Sequence, residues 1–168
     1  MLIYFLMLAA FAADRITKWW ASSYFASRGG IELHPLLHLQ PAYNHGIAFG
    51  MFQGIGPVIG WLSIAVVVAL FIYIRRVPRS MWLLRIGIAL IIGGAMGNLV
   101  DRVTSGEVLD FISTPIRPGI FNVADVMINL GLILSILSLF VQRSSDEAVA
   151  AVVEQDSGQG DLSDPNTD

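Results

Sequence analysis

Pro57-Val-Ile-Gly-Trp-Leu-Ser-Ile-Ala-Val-Val-Val-Ala-Leu-Phe-Ile-Tyr-Ile74 runs for 18 residues without a charge. An α-helix rises 1.5 Å per residue and needs about 20 residues to cross a hydrocarbon core of about 30 Å. This stretch, opened by a proline that suits a first helical turn, therefore reads as a transmembrane helix. Its neighbours read alike. Met81 to Val100 carries only Arg85, near one end, where the side chain can snorkel to the interface. Val123 to Val141 is interrupted once, by Asp125 close to its start. Met1 to Ala13 is too short alone and continues through Trp19 and Trp20, which suit an interfacial aromatic belt. The spans expected are about 1–22, 57–74, 81–100 and 122–142, which makes the chain a mainly α, polytopic membrane protein with four transmembrane helices.

The composition agrees. Of 168 residues, 55% are hydrophobic and only 14% charged, about half the charged share of a soluble domain. The length holds one domain. The net charge of −3 averages two unlike regions: residues 1–143 sum to +4, whereas residues 144–168 hold seven acidic and no basic residues. The first is a membrane-embedded domain. The second is polar, acidic and without aromatics, so disorder is expected for it. A nucleic-acid partner needs a clustered basic face that this balance does not offer. With no cysteine, disulfides, thiol nucleophiles and thiolate metal sites are excluded.

Orientation follows from the loops. Arg75, Arg76 and Arg79 lie between the second and third spans and Arg143 follows the fourth, which places both termini in the cytoplasm. Arg15, Lys18, Arg28, Arg102 and Arg117 fall on the opposite side, three of them inside polar motifs where carboxylates can hold them. A cleaved signal peptide ending near Ala10-Phe-Ala-Ala13 is the rival reading of the first span, but no Lys or Arg precedes the apolar run. The loop from about Tyr24 to Gly56 lies outside, and the alternation Ile31-Glu-Leu33-His points to short strands or a hairpin there.

Four antiparallel spans bring the polar residues at membrane depth to one face. Asp14 and Lys18 end the first span, Asn98, Asp101 and Arg102 end the third, and Asp125 and Asn129 begin the fourth. Asp14, Thr17 and Lys18 share a helix face, with the acid and base in the favourable order for an ion pair. Gly93-Gly94-Ala95-Met-Gly97 gives the third span a smooth surface that serves either close helix packing or substrate approach. Asp110 and Asp125 flank the turn-rich segment Thr114-Pro-Ile-Arg-Pro-Gly119, which can return the chain to the same layer. Two carboxylates at one boundary can share a proton and act on a water and a carbonyl, or be separately capped and ion-paired; spacing alone leaves both open.

Other candidates fall away. His34 and His38 have the spacing of a zinc helix, but Pro35 stands between them and no Glu occupies the general-base position. Ser63 lies mid-span without a nucleophile elbow.

The chain resembles the lipoprotein signal peptidase (signal peptidase II) family of bacterial membrane aspartyl peptidases. The resemblance rests on Asp14-Arg-Ile-Thr-Lys18, Asn44-His-Gly-Ile-Ala-Phe49, Gly93-Gly-Ala-Met-Gly-Asn98-Leu-Val-Asp101-Arg102, Gly106-Glu-Val-Leu-Asp110-Phe111 and Phe121-Asn-Val-Ala-Asp125, in the family's order. It implies four transmembrane helices, a small extracytoplasmic sheet, which the 24–56 loop fits, and a short mobile helix over the site. It implies Asp110 and Asp125 as the catalytic pair. Asn44, Asn98, Arg102 and Asn122 match polar substrate-binding positions, Gly94 and Ala124 belong to the same surroundings, and Asp14, Lys18 and Asp101 match a supporting shell. The substrate implied is a diacylglyceryl-modified prolipoprotein cut on the amino side of its lipid-modified cysteine. The enzyme implied is a monomer in the bacterial inner membrane, facing outward, without metal or cofactor. A transporter or channel would need polar residues to continue through the other halves of the spans, where Ile64 to Ile74 and Ile86 to Ile92 are apolar. A metal-dependent headgroup transferase would place its aspartates one helical turn apart.

Overall fold

The computed structural model describes residues 1–46 and 56–160. In chain order it contains α1 (Leu2–Phe25), β1 (Ile31–His34), β2 (Leu37–Asn44), α2 (Gly56–Arg76), α3 (Trp82–Thr104), β3 (Val108–Thr114), β4 (Arg117–Phe121) and α4 (Val123–Gly160). The chain is thus mostly helical with one small antiparallel sheet. Among the described residues, Trp82–Thr104 and Val123–Gln142 are long and apolar enough to cross a membrane by length and composition. Residues 47–49 of the motif that begins at Asn44, and residues 161–168 of the acidic tail, lie outside the described residues.

Helix α3 is the centre of the bundle, packed on α1, α2 and α4, and its small residues make that possible. A Cβ at Gly93 would stand 2.6 Å from the Met7 carbonyl oxygen of α1, and one at Gly94 would stand 2.6 Å from that of Ala124 in α4. Gly87 and Gly131 meet in the same way between α3 and α4. The glycine run therefore serves close helix packing, letting the backbones of α1 and α4 approach that of α3. At the other end of the bundle, Met7, Ile74, Val77, Leu84, Ile88 and Ile92 close an apolar core.

The sheet has the order β1-β2-β3-β4. Half of it is expected, from the 24–56 loop. The other half comes from residues 108–121, where prolines and glycines lead one to expect only a turn: β3 and β4 form a hairpin with Thr114 paired to Arg117, so Pro115 and Ile116 make the turn and the flanking residues pair. A register shift between Leu39 and Ala42 surrounds Pro41, which has no N–H to give to a ladder. Leu39 and Phe111 pack with Ala21 of α1, so the sheet is seated on the end of α1. Gly106, with φ of 79°, turns the chain out of α3 into β3; the left-handed conformation it adopts is the usual helix terminator.

Residues 144–160 of the acidic tail are described, and they are helical. Composition leads one to expect disorder from Ser144 onward, yet α4 continues to Gly160. Ala148-Val-Ala-Ala-Val-Val153 is bounded by acids and contains no proline. Extending an existing helix adds one hydrogen bond per residue without a new nucleus.

Candidate active site

Alternation along β3 turns Asp110 to the face opposite Leu109 and Phe111, which pack with the sheet core. On β2, Ala42 pairs with Asp110 and Asn44 with Val108, so Asn44 is the diagonal neighbour of Asp110 and donates from Nδ2 to its Oδ2 at 3.2 Å. The other oxygen of Asp110 accepts from Asn122 Nδ2 at 2.6 Å.

Asn122 stands at the start of α4, where the sequence Asn-x-x-Asp forms a reciprocal cap. Its Oδ1 accepts the Asp125 backbone N–H at 3.0 Å, and Asp125 Oδ2 accepts the Asn122 backbone N–H at 3.3 Å. The Asn122 amide also donates to Asn98 Oδ1 at 3.1 Å, and Asn98 Nδ2 donates to Asp125 Oδ1 at 3.0 Å. Asp110 and Asp125 are therefore joined through the same two asparagines.

Behind Asn98 lies a charged layer. Lys18 Nζ donates to Asn98 Oδ1 at 2.8 Å and forms ion pairs with Asp14 Oδ2 at 3.0 Å and Asp101 Oδ2 at 2.7 Å. Asp14 and Lys18 are 0% and 2% exposed. The second oxygen of Asp14 accepts the Ala124 backbone N–H at 3.0 Å, tying α1 to the first turn of α4. A Cβ at Gly97 would collide with Asp14 Oδ2, so only glycine leaves room for this carboxylate. Arg15 pairs with Asp101 Oδ1. Arg102 donates to the carbonyls of Asn98 and Gly46 at 3.5 and 3.4 Å, and its charge faces Asp125, Asp110 and Asp101.

Burial is the main reason that the Asp110 carboxyl is pushed up to about 6, with the Asp125 charge adding to it and hydrogen bonds from Asn44 and Asn122 opposing it. A carboxyl so placed holds its proton at pH values where a solvent-exposed aspartic acid has lost its own, which suits acid–base work on an amide.

The structure gathers Asp14, Lys18, Asn44, Asn98, Asp101, Arg102, Asp110, Asn122 and Asp125 at one end of the bundle, with Gly94 and Ala124 forming the seam between α3 and α4 beside them. Thr17, though on the face of Asp14 and Lys18, bonds back to the Ala13 carbonyl at 2.8 Å, and Asn129 bonds back to the Asp125 carbonyl at 2.7 Å. His34 and His38 lie on strands β1 and β2 rather than a helix. Sequence reading passes over Arg15 and Gly97 as individual participants. Arg15 is detectable as a cation beside Asp14 in an apolar span; the need for glycine at 97 depends on a side chain 83 positions away in α1.

Known proteins share this frame. A solved structure described as a bacterial membrane enzyme, determined by the in meso method, superposes with a TM-score of 0.76 at 29% identity, over 85% of this chain and 90% of that one. A second such structure gives a TM-score of 0.72 at 30% identity, over 82% and 91%. The class is thus that of a bacterial membrane enzyme. Residues 6–141 match the family model described as signal peptidase (SPase) II. The lipoprotein signal peptidase of Shewanella halifaxensis is 34% identical over 90% of this chain and 93% of its own length. That of Geobacillus thermodenitrificans is 38% identical over 82% and 89%. The chain belongs to the signal peptidase II family and is an aspartic-type peptidase.

Proposed function

We propose that the chain removes signal peptides from diacylglyceryl-modified prolipoproteins, cutting on the amino side of the lipid-modified cysteine with Asp110 and Asp125 as the catalytic pair. The observation that carries this reading is the joining of both carboxylates through Asn122 and Asn98. Asp110 holds the shared proton. As the water oxygen bonds to the scissile carbonyl carbon, Asp125 takes a proton from that water and Asp110 gives its own to the carbonyl oxygen. When the tetrahedral diol collapses, the C–N bond breaks, Asp125 protonates the leaving nitrogen, and Asp110 recovers a proton from the diol.

Around this pair, Asn44 and Asn122 orient Asp110, Asn98 orients Asp125, and Arg102 presents positive charge to the peptide backbone of the substrate. Asp14, Lys18 and Asp101 hold Asn98, and Gly94 and Ala124 let α3 and α4 close on one another. Residues 1–143 are the catalytic unit, so truncation after Arg143 leaves cleavage intact.

All four long helices span the inner membrane, with both termini in the cytoplasm and the sheet outside. Supporting this are the lengths of α1 and α2, 24 and 21 residues, and the outward-facing apolar side chains of α1 and α2, among them Leu2, Phe5, Leu8, Trp61, Leu62 and Ile72. In α1 the charges Asp14, Arg15 and Lys18 are met by partners inside the bundle, which removes most of their cost in lipid. A lipid-anchored substrate then reaches the site by lateral diffusion, its acyl chains beside the spans. The enzyme acts as a monomer on this substrate.

The test uses the purified enzyme in proteoliposomes with a lipid-modified precursor. Asp110→Asn and Asp125→Asn each abolish release of the signal peptide, and normal cleavage by either variant would overturn the pair.

A further inference from the structure

At the end of the bundle opposite the carboxylates, the first turn of α1 and the start of α3 enclose a groove of about 670 Å³. Leu2, Tyr4, Trp82 and Ile86 form apolar and aromatic walls, and Arg79 and Arg85 stand in it. Arg85 is half-buried and donates through Nη1 to the carbonyls of Ile74, at 3.2 Å, and Val77. Among the described residues no carboxylate pairs with it. Arg79 is exposed in the α2–α3 turn and has no hydrogen bond or ion pair with a described residue.

A partly buried guanidinium met only by carbonyl dipoles is an uncompensated charge, which is costly until an anion arrives. Its Nε and Nη2 donors remain for that anion, in the planar fork that suits phosphate oxygens. The exposed apolar walls beside it suit acyl chains rather than a water-soluble anion.

We propose that this groove binds an anionic phospholipid, with the phosphate between Arg79 and Arg85 and the acyl chains along Leu2, Tyr4 and Ile86. The inference rests on the four-span reading, since only then does the groove open into a leaflet. The acidic tail is the competing occupant, but α4 continues unbroken from Gln142 to Gly160. At 1.5 Å per residue it carries Asp146, Glu147, Glu154 and Asp156 onward by about 6–21 Å along the helix axis rather than back across to α1.

The full-length protein in mild detergent is titrated with dioleoylphosphatidylglycerol or dioleoylphosphatidylcholine, and bound lipid is counted by native mass spectrometry. Phosphatidylglycerol binds about fivefold more tightly or better, and Arg79→Gln removes that preference by about fivefold. Arg76→Gln, which deletes the same charge on the same face outside the groove, leaves it unchanged. Equal losses in the two variants reveal diffuse surface attraction and overturn the site, as does equal binding of the two lipids. A severalfold rise in phosphatidylglycerol binding on deletion of residues 144–168 makes the tail the occupant and overturns the site as well. Retention of neither lipid overturns the groove together with the spans. Because binding is read without turnover and persists in Asp125→Asn, failure here is distinct from failure of the peptidase reading.

Discussion

Asn122 and Asp125 hold each other across the first turn of α4: the asparagine side-chain oxygen accepts the aspartate backbone N–H at 3.0 Å, and the aspartate carboxylate accepts the asparagine backbone N–H at 3.3 Å. The cap that starts the helix thereby aims one carboxylate of the site. The same asparagine spends its amide donors on Asp110 and Asn98, so one residue is both a structural cap and the joint between two acids.

These two duties separate by substitution. Asn122→Ser keeps an N-cap oxygen but loses the amide donors, so thermal stability changes by less than about 1 kcal/mol while kcat/KM falls at least about tenfold. Asn122→Ala loses both. Differential scanning fluorimetry beside precursor cleavage checks the split; wild-type activity in the Asn122→Ser variant refutes the joint.

Asp110→Asn abolishes cleavage, a loss of at least about a hundredfold, and stabilises the protein at neutral pH. The carboxyl is raised to about 6 in the folded chain from 3.8, so folding favours its neutral form. That contribution is present below about pH 4 and is lost as the pH rises through about 6, leaving a buried charge at pH 7. The gain in Asp110→Asn is on the order of 1–3 kcal/mol at pH 7.5 and vanishes near pH 3. Melting curves of both proteins at the two pH values decide it.

The proton on Asp110 also fixes the alkaline limb of the rate profile. With its titration raised to about 6, kcat/KM of the free enzyme declines above about pH 6 as that proton leaves. Replacing Asp125 by Asn removes a neighbouring negative charge, so Asp110 then titrates lower, which carboxyl-carbon NMR measures directly. A midpoint that moves upward contradicts the assignment.

Lys18→Met strands Asp14 in the bundle, at a cost of about 3–5 kcal/mol. The double variant Asp14→Asn/Lys18→Met recovers most of it, since a neutral pair leaves no unpaired charge. Thermal denaturation of the two singles and the double gives the coupling; additivity would deny the ion pair its role.

Glycine substitutions separate packing from conformation. At Gly97 a Cβ would collide with Asp14 Oδ2, so Gly97→Ala costs about 1–3 kcal/mol and disturbs cleavage through Asn98. At Gly60, inside α2, a Cβ meets nothing within 4 Å, and Gly60→Ala gains about 0.5–1 kcal/mol. Melting temperatures that shift in opposite directions meet the expectation.

The helices of this fold are legible because each is a long apolar run, and the acids of the site are legible because charge is rare elsewhere in the body of the chain. Strands β3 and β4 are less so: Pro115, Pro118 and Gly119 break the alternation by which a strand is read, although the pairing of Ile112 with Phe121 needs none of them. Asn122 is readable as a cap from local sequence, but its amide bond to Asp110 depends on the β3–β4 hairpin folding back. The pairing of Arg15 with Asp101, 86 residues apart, and the room that Gly97 leaves for Asp14 exist only when α1 lies against α3. The helical tail escapes a compositional reading because composition reports solvation, whereas continuity with α4 supplies the nucleus that an isolated acidic segment lacks.

The bond between Asp14 and the Ala124 N–H joins residues 110 positions apart, and the one between Lys18 and Asn98 spans 80. A chain made from its N-terminus therefore delivers α1, with Asp14 and Lys18 paired to each other, before Asn98, Asp101 and the Ala124 N–H that hold them from α3 and α4. The seating of α1 is thus completed only by the opening turn of α4, whose Ala124 N–H bonds the second oxygen of Asp14.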